Sequence, residues 1–147
     1  MNVPSPGAPF PAPGWIAWPL RATATLHLAG VLGQAALAGL FVTGDADLLD
    51  WHRGNGGFTH ALLYLQLAAA VLLWRPVRGP GLAAAASVLL VAAETLQIFF
   101  GQERILAGHF PLGMADFGAS ALLAAYTWLR VRPTARTGGA RWTRRGA

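Results

Sequence analysis

The sequence predicts an all-α integral membrane protein, an up-down-up-down bundle of four helices. Hydrophobic residues make up 54% of the 147 residues and charged residues only 12%, which leaves too little polar surface to coat a water-facing domain. Four apolar, nearly uncharged runs each approach the ~20 residues that cross a bilayer. They cover residues 22–43, 57–74, 81–100 and 110–129. The short connections between them favour antiparallel neighbours.

Residues 1–21 precede the first run and are predicted to form a flexible arm. Six prolines fall between residues 2 and 19, and each removes a backbone donor and disfavours a helix. Trp15 and Trp18 suit the headgroup region, because an indole keeps its ring in apolar surroundings while its N–H reaches water. Residues 22–130 are then the transmembrane domain, and residues 131–147 form a basic cytoplasmic tail.

Arginine predicts the orientation, since all eleven basic residues are arginine. Only Arg53 and Arg104 fall on one side of the bundle, together with four acidic residues. The other nine adjoin the opposite side: Arg21, Arg75, Arg78, Arg130, Arg132, Arg136, Arg141, Arg144 and Arg145. By the positive-inside rule, both termini are cytoplasmic and the 44–56 and 101–109 loops face outside. We therefore expect a multi-pass protein of the bacterial inner membrane, in contact with the lipid bilayer and not with nucleic acid.

One polar residue in each run is predicted to lie at a common depth. Counting ~1.5 Å per residue from the cytoplasmic end of each run gives about 20–22 Å for all four: Gln34, His60, Glu94 and Asp116. Such side chains are costly in hydrocarbon unless they contact one another or face a cavity. The same count places His27 near the inner face, with no histidine at its height, and favours a packing or interfacial role.

Two further histidines share a second height, nearer the outer face. The count gives roughly 31 Å for His109 and 34 Å for His52. Each lies at the N-terminal end of a predicted helix, where the helix dipole disfavours imidazolium and keeps a nitrogen available for metal. Two neutral imidazoles at one height suit the axial ligands of haem b, and no cysteine is present for covalent attachment. Arg53 and Arg104 lie in the same loops and are candidates to pair with the propionates.

The residues around these histidines resemble one four-helix half of the haem A synthase family, and also small uncharacterised four-helix bacterial membrane proteins of the same layout. The likeness covers roughly residues 22–130 and is carried by Phe41-Val-Thr-Gly44, His52-Arg53, Leu96-Gln97, Gly101 and His109. The resemblance implies His52 and His109 as haem ligands. The family has two such halves and this chain has one, so oxidation of a haem methyl group is not implied. The layer at Gln34 has no counterpart in that family.

Other interpretations remain open at this stage. Gly54, Gly56 and Gly57 weaken helix formation after His52, so the partner of His109 is either His52 or His60. His60, Glu94 and Asp116 also have the donor types of a non-haem zinc, iron or manganese site, or of a proton relay. A non-catalytic membrane subunit or assembly factor is the third class, in which the polar layer only fixes the helix register. A membrane redox partner or a second copy of the chain would be the protein partner.

Overall fold

Four helices make up most of the protein, as the sequence predicts. The computed structural model describes residues 8–134, so Arg136, Arg141, Arg144 and Arg145 of the basic tail lie outside the described residues. The helices are α1 (Gly14–Val42), α2 (Leu48–Trp74), α3 (Leu82–Gln102) and α4 (Leu106–Arg130). They are flanked by two four-residue strands, β1 (Phe10–Pro13) and β2 (Val131–Thr134).

The helices form a closed arrangement in which α1 and α3 each contact both α2 and α4. β1 and β2 pair in parallel, with Phe10 opposite Val131, so the two ends of the described chain meet at one end of the bundle. Within residues 8–134, three helices, α1, α2 and α3, are long and apolar enough to cross a membrane, judged by length and composition. The coarse prediction of a helical bundle with membrane-length apolar helices is therefore confirmed.

The first helix starts earlier than predicted, and the expectation of a flexible arm over residues 1–21 is wrong from residue 10 onward. Residues 10–13 form β1, and α1 begins at Gly14 and continues through Pro19. Proline removes one backbone donor, but Ile16, Ala17 and Leu20 are no more than 1% exposed. Burial of these apolar side chains offsets the local cost of the proline.

Arg21 is buried at one end of the bundle. Its guanidinium is held at the C-terminal end of α4, where it donates hydrogen bonds to the carbonyl oxygens of Thr127 at 3.3 Å and Trp128 at 3.2 Å. A third bond reaches the carbonyl oxygen of Val131. The last carbonyls of a helix lack intrahelical donors and form the negative end of its dipole. A buried cation at this position donates hydrogen bonds to the carbonyls and interacts favourably with the dipole. Arg21 therefore ties the start of α1 to the end of α4.

Two of the other helices, α2 and α4, also begin before their predicted first residues. α2 begins at Leu48 instead of residue 57, and α4 begins at Leu106 instead of residue 110. His52 and His109 therefore lie on helices and not in loops. Helix α2 continues past its three glycines while packing on α1, where the Asn55 amide donates to the carbonyl oxygen of Gly30 at 2.9 Å. This tertiary contact outweighs the weak helix propensity of glycine.

Two adjacent glycines of α2 offer a matched test of this packing. A Cβ added at Gly57 would meet no atom within 4 Å, whereas one added at Gly56 would lie 2.9 Å from the side-chain nitrogen of Gln34. Gly57→Ala should therefore stabilise the protein by about 0.5–1 kcal/mol, the usual gain from replacing a helical glycine. Gly56→Ala should gain less, because it displaces the Gln34 amide. Thermal melting in detergent compares the two, and equal gains would contradict the close approach of Gln34.

Apolar burial is concentrated at one end of the bundle. The core cluster includes residues of β1, β2 and the adjoining halves of the helices, among them Ile16, Leu20, Leu63, Leu73 and Val131. Outward-facing positions along the helices carry large apolar side chains, such as Leu89 at 70% exposed and Leu122 at 75%. Several polar side chains are instead buried, including His27, Gln66, Glu94 and Asp116. So many large apolar side chains on the outer surface, together with several buried polar groups, are unusual for a protein surrounded by water.

Candidate functional site

A cavity of about 620 Å³ occupies the half of the bundle away from β1 and β2. All four helices contribute to its wall, which is mostly apolar and includes Val31, Ile98, Phe110, Met114 and Phe117. His52, Glu94, Gln97 and His109 are among its polar residues. Sites for small molecules and cofactors typically have this size, with an apolar lining and a few placed polar groups.

His52 on α2 and His109 on α4 meet across this cavity. Their ring centres are 6.3 Å apart and their planes are inclined at 65°. Both side chains are partly buried, and the Phe41 ring packs against His52 with 5.4 Å between ring centres. The structure therefore brings together the two histidines that the sequence placed at one height. It does not bring His60 to His109, because His60 bonds elsewhere and does not line the cavity.

The hydrogen bonds of the two rings determine which nitrogen can bind a ligand. Nδ1 of His52 lies 3.1 Å from the backbone oxygen of Gln34, and Nδ1 of His109 lies 2.8 Å from the backbone oxygen of Gln97. A carbonyl oxygen only accepts, so each Nδ1 must carry a proton and each neutral ring has its lone pair on Nε2. Metal-bound histidines usually have this arrangement, in which the second nitrogen donates to a carbonyl and fixes the ring.

The two histidine positions repeat one local arrangement in the two halves of the chain. Each histidine donates to the backbone of a glutamine on the preceding helix, and each is followed four residues later by a glycine, Gly56 or Gly113. A Cβ at either glycine would contact the side-chain nitrogen of that same glutamine. The repeated His-x-x-x-Gly spacing is visible in the sequence and could have indicated this correspondence, but the glutamines become recognisable only in the folded bundle.

The spacing of the two rings fits a single iron atom between them. Two imidazoles on one iron have ring centres on the order of 6 Å apart, taking ~2 Å for each metal–nitrogen bond and about 1 Å from nitrogen to ring centre. The observed separation is 6.3 Å. The donor set, its fixed tautomers and the apolar walls therefore all fit bis-histidine haem.

The two arginines expected beside the propionates lie away from the cavity wall. Arg53 on α2 is 69% exposed at its side chain and forms a 3.2 Å ion pair with Asp50. Arg104 lies in the turn between α3 and α4, with a positive φ of 58°, and is exposed. Neither residue lines the cavity, so the structure shows no contact that supports their predicted role at the propionates.

A second polar cluster lies beside the cavity, and it includes a histidine that the sequence set apart. Glu94 Oε1 is 2.6 Å from Nε2 of His27, and Glu94 Oε2 is 3.1 Å from Nδ1 of His60. Of the two roles predicted for His27, the structure supports packing within the bundle and not a place at the interface, because its ring is fully buried and bonded to a carboxylate. The height predicted for His27 was too low because residues were counted from Arg21, next to the predicted start of the first run. Helix α1 in fact starts at Gly14.

The predicted polar layer is therefore divided into two groups. Gln34 lies on the cavity wall, and its side-chain oxygen accepts from Asn55 at 2.9 Å. Asp116 on α4 is 2% exposed and close enough to interact electrostatically with Glu94 and His27, although its Oδ2 has no hydrogen-bond partner among residues 8–134. Asn55 was not identified from the sequence, because an amide near glycines in a presumed loop gives no signal of its own.

Within residues 8–134, His60, Glu94 and Asp116 are not arranged as the ligands of a non-haem metal ion. In the part of the chain that the structure describes, no group of three or more histidine and carboxylate side chains is arranged to hold a metal ion. Glu94 uses both of its oxygens in hydrogen bonds to the two histidines. The cluster thus resembles a hydrogen-bonded network more than a ligand set.

Fold and site together define a four-helix bundle with a mainly apolar cavity between its helices and a pair of histidines on the cavity wall. Comparison of the chain with protein-family profiles, curated proteins and solved structures finds no match.

Proposed function

We propose that the protein is an inner-membrane haem b protein in which His52 and His109 are the axial ligands. The observation that carries this proposal is the matched pair of histidines, 6.3 Å apart, with both Nδ1 atoms bonded to backbone oxygens. Haem held by two histidines supplies one-electron transfer. Electron transfer or haem handling is thus the proposed role.

The protein's own residues prepare the site for such a group. Gln34 and Gln97 hold the two rings through backbone oxygens, which cannot be lost by side-chain motion. The walls supplied by Val31, Ile98 and Phe117 are apolar and exclude water from a bound ring system. A bundle with only a scaffolding role has no need of this cavity, whereas the opposite half of the same bundle is filled by its own side chains.

We further infer that all four helices cross the bilayer in alternating directions. Large apolar side chains face outward on each helix, and the charged and amide groups within the helices are largely turned inward. In hydrocarbon this arrangement is favourable, because polar groups need partners that lipid cannot supply. The arginine distribution then predicts cytoplasmic termini, with the cavity half of the bundle toward the outside.

The orientation can be tested with a reporter that is active only outside the cytoplasm. Fused after Arg145 it should be silent, and inserted in the α1–α2 connection, after Gly44, it should be active. The connection at Arg78 between α2 and α3 is the matched control and should be silent. The reverse pattern would overturn the orientation and would move the cavity to the cytoplasmic half.

The proposed cofactor is tested by the absorption spectrum of the protein purified in mild detergent after expression with added haem. A bis-histidine haem protein should be red, with a sharp Soret band and low-spin features. A colourless product under these conditions would overturn the haem proposal.

A further inference from the structure

The cavity opens on one side of the bundle, between α1 and α4. Its exposed lining residues lie on α1, from Leu32 to Val42, and on α4, from Phe110 to Phe117. None of them has a charged or polar side chain. Among residues 8–134, no lining residue of α2 or α3 is exposed. These exposed lining residues of α1 and α4 are named here the α1–α4 opening.

The polar side chains of the cavity lie away from the α1–α4 opening. At its edges, Leu32 is 57% exposed and Met114 is 77% exposed. The polar lining residues are all buried or half-buried: Gln34, His52, Thr59, Glu94, Gln97 and His109. A molecule that enters between α1 and α4 therefore passes an apolar edge before it reaches the two histidines.

Hydrogen bonds close two other contacts between helices beside the cavity. Between α1 and α2, the Asn55 amide donates to the side-chain oxygen of Gln34 at 2.9 Å, and Nδ1 of His52 donates to the Gln34 backbone oxygen. Between α3 and α4, Nδ1 of His109 donates to the backbone oxygen of Gln97 at 2.8 Å. These bonds hold the helices together in two pairs, with the α1–α4 opening between the pairs.

Helices α1 and α4 are tied to each other at the opposite end of the bundle, next to β1 and β2. There Arg21 bonds to carbonyl oxygens at the end of α4, and the Trp128 indole donates to the Thr25 hydroxyl at 3.0 Å. Beside the cavity the space is open, since a Cβ added at Gly39 would meet no atom within 4 Å. The two helices are therefore joined at one end and separated at the other.

The α1–α4 opening faces lipid if the bundle spans a membrane. It covers residues 32–42 of α1, about 15 Å along the helix axis at ~1.5 Å per residue. Helix α1 is long and apolar enough to cross a membrane, and Val42 is its last residue. The opening therefore runs from within the hydrocarbon to the outer end of the bundle. An apolar edge of this kind suits contact with acyl chains better than contact with water.

We propose that the α1–α4 opening is a lateral portal through which haem enters the cavity from the lipid bilayer. This inference rests on the proposed haem function. The apolar ring system of haem can pass the apolar edge of the portal without displacing a charged or hydrogen-bonded side chain. Its propionates can stay at the outer end of the opening, which avoids the cost of moving charge into hydrocarbon. His52 and His109 then meet the iron at the inner wall.

Two glycines provide a matched test of the portal. A Cβ at Gly39 or at Gly118 would meet no atom within 4 Å, but of the two only Gly39 lines the cavity. Phenylalanine has a better helix propensity than glycine, so both variants should fold. In haem-free protein reconstituted in phosphatidylcholine vesicles, Gly39→Phe should slow haem uptake about tenfold, equivalent to about 1.4 kcal/mol in the barrier. Gly118→Phe should match the parent rate, measured by stopped-flow absorption at the Soret band.

A reversible cross-link tests the portal in one and the same protein. The native chain has no cysteine, so Ala35→Cys with Met114→Cys places one thiol on each side of the opening. After cross-linking in detergent with a bifunctional methanethiosulfonate, checked by mass, the reconstituted protein should take up no haem. Cleavage of the cross-link by a phosphine should restore uptake. The same double variant treated with a monofunctional reagent is the control for bulk and should take up haem.

The source of the haem is identified by cleaving the cross-link when haem is already dissolved in the bilayer and apomyoglobin is present in the water. Apomyoglobin captures aqueous haem through one histidine and gives a high-spin spectrum, whereas the site at His52 and His109 should give a low-spin spectrum. Low-spin uptake should proceed at the rate seen without apomyoglobin. Loss of this uptake would show that haem enters from water and would overturn the portal.

Failure of the portal and failure of haem binding have different outcomes. Equal uptake rates in Gly39→Phe and Gly118→Phe, or normal uptake by the cross-linked protein, would overturn the portal and leave haem binding intact. A parent protein that takes up no haem from vesicles and is colourless after expression with added haem would overturn the haem proposal itself.

Discussion

His52→Ala and His109→Ala should each abolish the low-spin haem spectrum of the purified protein. Either change leaves the iron with one protein ligand, so the bound haem should become high-spin or be lost during purification. Loss of even an outer-shell partner of a metal ligand typically costs 10–100-fold in affinity, so loss of a ligand should cost at least about 100-fold. Absorption spectra and haem titration in detergent measure both effects.

His60→Ala is the control for these substitutions. His60 is on the same helix as His52, but its nitrogens bond to Glu94 and Tyr64 and its ring does not line the cavity. The low-spin spectrum should therefore survive. Loss of haem in His60→Ala together with retention in His52→Ala would show that His60 is the ligand. Such a result would contradict the 6.3 Å approach of His52 and His109.

Glu94→Leu should destabilise the bundle, whereas Asp116→Leu should not. Leucine at position 94 leaves Nε2 of the fully buried His27 without an acceptor and also removes the partner of His60. An orphaned polar group within a membrane bundle costs about 1–2 kcal/mol on model-peptide estimates. Asp116 differs because its Oδ2 has no hydrogen-bond partner among the described residues, so its removal relieves an unsatisfied buried polar group.

Thermal melting in detergent distinguishes the two leucine variants. Glu94→Leu should melt below the parent protein, and Asp116→Leu should melt at or above it. Glu94→Gln separates the contribution of the charge from that of the hydrogen bonds, because its amide can still accept one bond. An equal loss of stability in both leucine variants would mean that Asp116 has a stabilising partner in solution. No loss in either would contradict the hydrogen bonds of Glu94.

The sequence by itself determined the helical architecture. It also identified His52 and His109 as a pair at one height, distinct from the other histidines. These properties depend on apolar runs of membrane length and on residue spacing along a helix, which are local features of the chain. The likeness of His52 and His109 was accessible for the same reason, since two residues equally far from the same end of a helical bundle lie at similar heights. The two rings do meet in the structure.

Only the tertiary structure decided where each helix begins, and with it which polar residues meet. Packing extends α1 back through Pro19 to Gly14 and α2 back to Leu48, against the local preferences of proline and glycine. That shift of α1 brings His27 to Glu94 and moves Gln34 away to Asn55. Helix boundaries are set by the free energy of side-chain burial between helices, a non-local quantity that residue counting along one helix does not contain.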